Sequence, residues 1–308
     1  MEATDETRSK EKRLRRLLLA YPRFVKHQGL IRGLLLLLIL LFVFAAIFAN
    51  VVSPKDPTAI GFNVLQSPNS ENWLGTDQLG RDVLSRAIHG ARPSIVVAIL
   101  SVVAGVTIGV PAGLIAGYTG RFAGAFIMRL VDIMLAFPGL LMALIVVTLL
   151  GPGLRSIVIA ISIAMIPWFA RMVYGATLSI KQKGFVDSAK TIGASPLRII
   201  ALHITPNLAS QVAVLATAAL GWAILISATL NFLGFGLSPP ASDWGIDLQF
   251  GKEFLQQAWW LAVVPGVCIS ATILATNLLG DVIAGVTSRG SQTDPRNLQR
   301  QAVSSGTL

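Results

Sequence analysis

Long apolar runs separated by shorter polar stretches organise the chain, and none of them alternates residue by residue as a strand would. About 20 apolar residues cross a bilayer core as a helix, and backbone polar groups cannot go unpaired in lipid. Six segments meet this requirement: Ile31–Val52, Pro93–Tyr118, Leu130–Leu150, Ser156–Ile180, Pro206–Phe235 and Ala258–Ile283. The expected fold class is therefore all-α, a polytopic membrane protein with six transmembrane helices.

The polar stretches divide the chain into a basic tail (1–29), a first transmembrane helix (30–52), a long loop (53–91), a five-helix unit (92–285) and a second tail (286–308). With the N-terminus inside, the inner segments collect 18 of the 25 Lys and Arg residues, nine of them between Arg8 and Arg32. The outer segments hold six: Lys55, Arg81, Arg86, Arg92, Arg155 and Lys252. Basic residues gather on the cytoplasmic side of membrane proteins, so the pattern predicts N-in, C-in. The charge-free run Gly33–Val52 is longer than the about 7–15 residues of a signal-peptide core and is expected to be retained.

Composition agrees. Of 308 residues 54% are apolar and 13% charged, where a soluble domain carries about 25% charge. The net charge of +10 is spent on topology, which leaves no basic face for nucleic acid. Cys268 is the one cysteine, so no intramolecular disulfide forms.

Several local features carry further expectations. In the outer loop, LGTDQLGRDVLSRAIHGAR opens from Asp77 as a short interfacial helix. The second span carries Gly105, Gly109, Gly113 and Gly117 at strict four-residue spacing, a stripe that lets another backbone approach, with Pro111 softening the helix inside it. Asp132 follows Arg129 by three residues, so the two are expected to pair on one helix face. Arg171, inside the fourth span, has no acid on its own helix and either snorkels inward or lines a path. The loop GFGLSPPASDWGIDLQFGKEFLQQ (234–257) is too irregular for lipid and is placed to cap the outer mouth, and Trp259 and Trp260 open the last span as anchors. NLLGD (277–281) closes that span.

The stretch DSAKTIGASPLRIIALHITPN, residues 187–207, is half polar and densely specified. Lys183-Gly184 breaks the fourth span, and Phe185, Ala189 and Ile192 share one face of two helical turns. Gly193 stands where a helix ends in positive φ. Ser195 and Pro196 read as an N-cap with Pro at the first helical position, followed by a short helix grouping Leu197, Ile200 and Ala201. Pro206 suits the start of span five. The result is a helix–turn–helix elbow on the cytoplasmic face.

These residues resemble the cytoplasmic loop of ABC importer permeases, whose pattern is Glu-Ala-Ala, three residues, Gly, nine residues, Ile-x-Leu-Pro. Asp187-Ser188-Ala189 stands at Glu-Ala-Ala, Gly193 at Gly, His203 and Thr205 at Ile and Leu, and Pro206 at Pro. Asp, Ser, His and Thr depart from the general form, and the His is similar to the peptide-permease version. WLGTDQLGRDVLSR, GARPS (90–94), GYTG (117–120), MRLVDIMLAFP (128–138) and FLGFGLSPPASDWG (232–245) resemble the C-type permease of the dipeptide/oligopeptide/nickel class over nearly the whole chain.

The resemblance implies a type I ABC importer permease fold in the cytoplasmic (inner) membrane of a bacterium or archaeon. It implies a second, B-type permease, two ATPase subunits that bind ATP and Mg, and an extracytoplasmic solute-binding protein. The elbow 184–205, with Asp187, Ser188, Ala189, Gly193, Ser195, Pro196, Arg198, His203 and Pro206, would be the coupling segment seated on an ATPase. The chain contains no G-x-x-x-x-G-K-[ST] phosphate loop, so energy must come from another chain. His27, His89 and His203 are singly placed, no catalytic constellation or metal cluster appears, and no cofactor is expected in this chain. A permease for nickel or another non-peptide solute, an ion-driven secondary transporter and a non-transporting scaffold are the competing expectations.

Overall fold

A computed structural model describes residues 43–120 and 122–292, together with positions 33, 37, 40 and 41. The basic tail 1–29, Arg121 and residues 293–308 lie outside the described residues, as does most of the first half of the predicted span 31–52. The described part of that span is helix α1, Val43–Val52. Ten helical segments follow one another with no named β-strand among the described residues: α1, α2 (Val83–Thr119), α3 (Ala123–Leu135), α4 (Gly139–Leu150), α5 (Leu154–Lys181), α6 (Gly184–Thr191), α7 (Pro196–Ile199), α8 (Thr205–Phe232), α9 (Trp244–Gly251) and α10 (Trp260–Gln292). Four helical spans are long and apolar enough to cross a membrane: α2, α5, Pro196–Phe232 and Trp260–Gly285.

Helix α2 begins at Val83, not at Asp77, and runs 37 residues without stopping. The separate interfacial helix expected in the loop 53–91 is thus the first turns of this span. Asp82 starts it by accepting hydrogen bonds from the Ser85 N–H (2.8 Å) and hydroxyl (2.6 Å). At 1.5 Å per residue α2 is about 55 Å long, well beyond the ~30 Å hydrocarbon core. Its first turns therefore stand clear of the bilayer, with residues 53–82 wrapped against them in a chain of turns.

The third predicted span, 130–150, is broken. α3 and α4 meet at 89° across residues 136–138. Pro138 has no N–H and disfavours helical backbone at Phe137, which favours a break in the apolar run at this point. Gly139 reopens the helix beneath Trp222, whose ring a Cβ would meet at 2.9 Å.

α2 and α5 share the most extensive helix–helix interface, and the glycine stripe makes it. A Cβ on Gly105 would lie 3.1 Å from Met165 Cβ, on Gly109 2.7 Å from the Ile166 carbonyl oxygen, and on Gly117 2.7 Å from Thr177 Cβ. Around this seam Val97, Val102, Ala143, Val147, Ile157, Ile161, Phe169, Ala223 and Leu230 form the main buried core.

Candidate coupling elbow and buried ionic centre

At one end of the bundle the chain turns back between α5 and α8. α6 ends in a Schellman motif: the Gly193 N–H donates to the Lys190 carbonyl (3.0 Å) and the Ala194 N–H to the Ala189 carbonyl (3.0 Å). Gly193 has φ +79°, which a glycine adopts without the steric cost a Cβ brings. Ser195 then caps α7 by accepting from the Arg198 N–H at 3.4 Å, with Pro196 at the first helical position.

α7 does not end before span five. A π-helical turn, Ile200–Ile204, joins it to α8, giving one continuous helix Pro196–Phe232. Pro206 thus lies inside this helix. It lacks the N–H that would bond Leu202 and crowds that carbonyl; the wider turn before it makes room. The Thr205 N–H reaches back to the Ile200 carbonyl, which also accepts from the Thr205 hydroxyl at 2.9 Å, and Asn207 Nδ2 donates to the His203 carbonyl at 2.7 Å.

The buried face of the elbow differs from the expected one. Val186, Ala189, Ile199 and Ile204 pack with Leu114, Val173, Ile180 and Leu208. Phe185 and Ile192, expected beside Ala189, point outward, as does Leu197; Ile192 is 85% and Leu197 79% exposed. Asp187 pairs with Lys190 at 2.8 Å on the open side, and Ser188 returns its hydroxyl to the Gly184 carbonyl at 3.0 Å. His203 lies with its ring 6.4 Å from that of Phe185. Lys181 ties the elbow's root to α2 by donating to the Tyr118 carbonyl at 2.6 Å.

The expected Arg129–Asp132 pair is not formed. Asp132 pairs with Arg171 of α5 across the α3–α5 contact. An i,i+3 pair with the cation N-terminal to the acid is the weaker orientation on an isolated helix, and α5 supplies a guanidinium at closer reach. Among the described residues no group of three or more His, Cys, Asp or Glu side chains could hold a metal ion.

A second polar centre, at the far end of the bundle, has no counterpart in the sequence reading. Asp77, Arg81 and Arg86 are each 4% exposed. Arg81 Nε donates to Asp77 Oδ2 at 2.6 Å, and Arg86 Nε lies 3.7 Å from the same oxygen. Arg86 also binds Asp247 of α9 through Nε and Nη2, and donates to the Pro57 carbonyl at 3.3 Å. Two acids and two arginines thus neutralise one another, as burial demands. Burial pushes the Asp247 carboxyl above its ordinary range, against the pull of Arg86.

α9 is the device that closes this centre. Asp243 caps it by accepting from the Gly245 N–H at 2.8 Å. Trp244, wholly buried, donates from Nε1 to the Ala87 carbonyl of α2 at 2.8 Å. Trp260 is turned inward, donating to the Thr76 carbonyl at 3.2 Å, so of the two expected anchors only Trp259 is exposed. Asp243 is pushed up to about 6, chiefly by burial, with the Gly245 N–H opposing.

The described residues thus form a helical bundle with a folded-back elbow at one end and a stapled cap at the other. Residues 109–290 match the family described as the binding-protein-dependent transport system inner membrane component, and the chain belongs to this family. It is 41% identical over 267 residues to the di/tripeptide transport system permease protein DppC of Pseudomonas aeruginosa (strain UCBPP-PA14), covering 84% of this chain and 87% of that one. It is 42% identical over 258 residues to the glutathione transport system permease protein GsiD of Shigella flexneri serotype 5b (strain 8401), covering 83% and 84%. An inward-facing structure of the MetNI methionine ABC transporter shares the fold at TM-score 0.55 and 19% identity, over 65% of this chain and 96% of that one.

Proposed function

We propose that this chain is the permease subunit of an ATP-driven importer of di- or oligopeptides or a closely related small solute. It lines the path together with a second permease, receives solute from an extracytoplasmic binding protein, and is driven by two ATPase subunits that bind ATP and Mg. The two relatives named for di/tripeptide and glutathione transport support the peptide reading. The chain lies in the inner membrane with a first span completing six, N-terminus and C-terminus inside; the charge asymmetry supports that orientation.

The observation that carries the coupling role is mechanical. The elbow is fixed by a Schellman turn and a Ser-Pro cap, and it continues as one helix into α8. A push on α7 therefore moves α8 as a lever and is not absorbed in a slack loop. Its open side presents Phe185, Ile192, Leu197 and Leu202, four large apolar side chains on a water-facing end. Such a patch marks a partner surface, and the groove of an ATPase subunit fits it.

ATP-dependent uptake of dialanine by vesicles carrying the complete importer tests the reading. Gly193→Trp should abolish uptake with subunit levels unchanged, because φ +79° strains any residue with a Cβ. Uptake that follows a proton gradient and ignores ATP would overturn it.

A further inference from the structure

The Asp132–Arg171 ion pair sits where hydrocarbon would not tolerate it. Arg171 lies ten residues before the end of α5 at Lys181 and 17 after its start at Leu154, about 15 Å and about 26 Å along the axis. Arg171 is therefore inside a helix long enough to span the bilayer, and Asp132 of α3 meets it there, yet the two side chains are 43% and 47% exposed. A charged group facing lipid is strongly disfavoured, and intramembrane charges face protein or a water-filled cavity. The guanidinium has five N–H donors and the carboxylate about four acceptor sites. Among the described residues no hydrogen bond from a third group reaches either one, so most of these positions are open.

Apolar surface adjoins the pair. Trp168, one turn before Arg171 on α5, is exposed and packs its ring on Trp222 of α8 at 5.1 Å. Beside it, at the α3–α4 bend, a small cleft is lined by Met134, Phe137, Met142 and Pro167. A cation, an anion and an apolar cleft thus occupy neighbouring turns on one open face.

We propose that Arg171, Asp132 and the Trp168 cleft form a binding station for zwitterionic short peptides within the path. Arg171 takes the terminal carboxylate, Asp132 the terminal ammonium, and the cleft an apolar side chain. The inference rests on the peptide-importer reading. The pair is closed in this structure, and an extended dipeptide is about 7 Å long, so the peptide enters by parting the two side chains. Each charge exchanges one opposite partner for another, and no unpaired charge is left in the membrane.

Inside-out vesicles carrying the whole importer provide the test. Cys268→Ser removes the chain's one cysteine, and Gly175→Cys places a reporter on the same helix, at a position where a Cβ meets nothing within 4 Å. The reporter should react with a charged, membrane-impermeant methanethiosulfonate, and dialanine should slow that reaction several-fold. In proteoliposomes Arg171→Gln should raise the KM for dialanine about tenfold, the loss of one charge-assisted contact, with Arg171→Lys retaining most of the affinity. An unreactive thiol means that this face is covered by the second permease or by lipid, and overturns the proposal. So does a thiol that reacts but is not protected while the wild type still transports dialanine. Recovery of transport by the swap Asp132→Arg with Arg171→Asp would make the pair purely structural. A wild-type importer that moves no dialanine contradicts the peptide reading itself, and the station falls with it.

Discussion

Arg86, in the first turn of α2, and Asp247, in α9, are 161 residues apart in sequence and joined by two hydrogen bonds in a buried ion pair. The contact staples the projecting end of α2 to the segment between α8 and α10. Arg81 and Asp77 complete a four-charge group of zero net charge. Such a brace holds this end of the bundle together as a single body.

Removing one member of a buried pair leaves an uncompensated charge, at a cost of about 3–5 kcal/mol. Arg86→Ala strands Asp247 and is expected to approach that range. Asp247→Ala should cost less, because Asp77 still lies 3.7 Å from Arg86. The double variant Arg86→Met with Asp247→Leu should regain most of the loss. Thermal unfolding of the solubilised complex reads all three.

Asp243 makes the cap sensitive to pH. The Ser94 hydroxyl is shared between two acceptors, the Gly90 carbonyl (2.9 Å) and Asp243 Oδ2 (3.1 Å). The Ser94 hydroxyl and the Gly245 N–H both favour the ionised carboxyl, and burial outweighs them. Its folded value, about 6, lies above the ordinary 3.8, so the folded state holds the proton more tightly. The resulting stability is fully present below about pH 4 and is lost as pH rises through about 6. Asp243→Asn keeps an oxygen to accept the capping Gly245 N–H and has no titration. The melting temperature of the wild type, measured relative to Asp243→Asn, should therefore fall between pH 4 and 7; a constant difference contradicts the assignment.

The α2–α5 seam admits no side chain. Gly109→Leu would drive a Cβ to 2.7 Å from both the Ile166 carbonyl oxygen and Phe169 Cβ, and overpacking of this kind costs about 1–3 kcal/mol. Gly175→Ala on the open side of α5 meets nothing and should be neutral or stabilising, by up to about 1 kcal/mol. Melting of the two variants side by side separates packing from helix propensity.

What the sequence made legible was local. The α2, α5, α8 and α10 spans follow from run length, and the elbow's turn from Gly193, Ser195 and Pro196, each acting within a few residues. The broken span was hidden because Pro138 sits in an otherwise apolar run, and one proline bends some helices and breaks others. Asp132 was matched with its neighbour Arg129 because i,i+3 spacing is visible in a sequence, whereas its partner Arg171 belongs to another helix. The stretch from Asp77 reads as an interfacial helix, yet Asp247 of α9 and Trp260 reach Arg86 and Thr76 from more than 150 residues away. On α6 the eight-residue segment carries apolar residues on two faces, and Val186, not Phe185, turns inward with Ala189; the π turn at 200–204 is a further feature that no periodicity announces.

The central claim, that partners drive this chain through its elbow, is tested most directly on the open side of that elbow. Ile192→Arg with Leu197→Arg alters two side chains that are 85% and 79% exposed, so the subunit should fold and melt as the wild type does. Co-purification of the ATPase subunits and ATP-driven dialanine uptake, measured on the same preparation, should both be lost. Retention of both at wild-type levels would contradict the account.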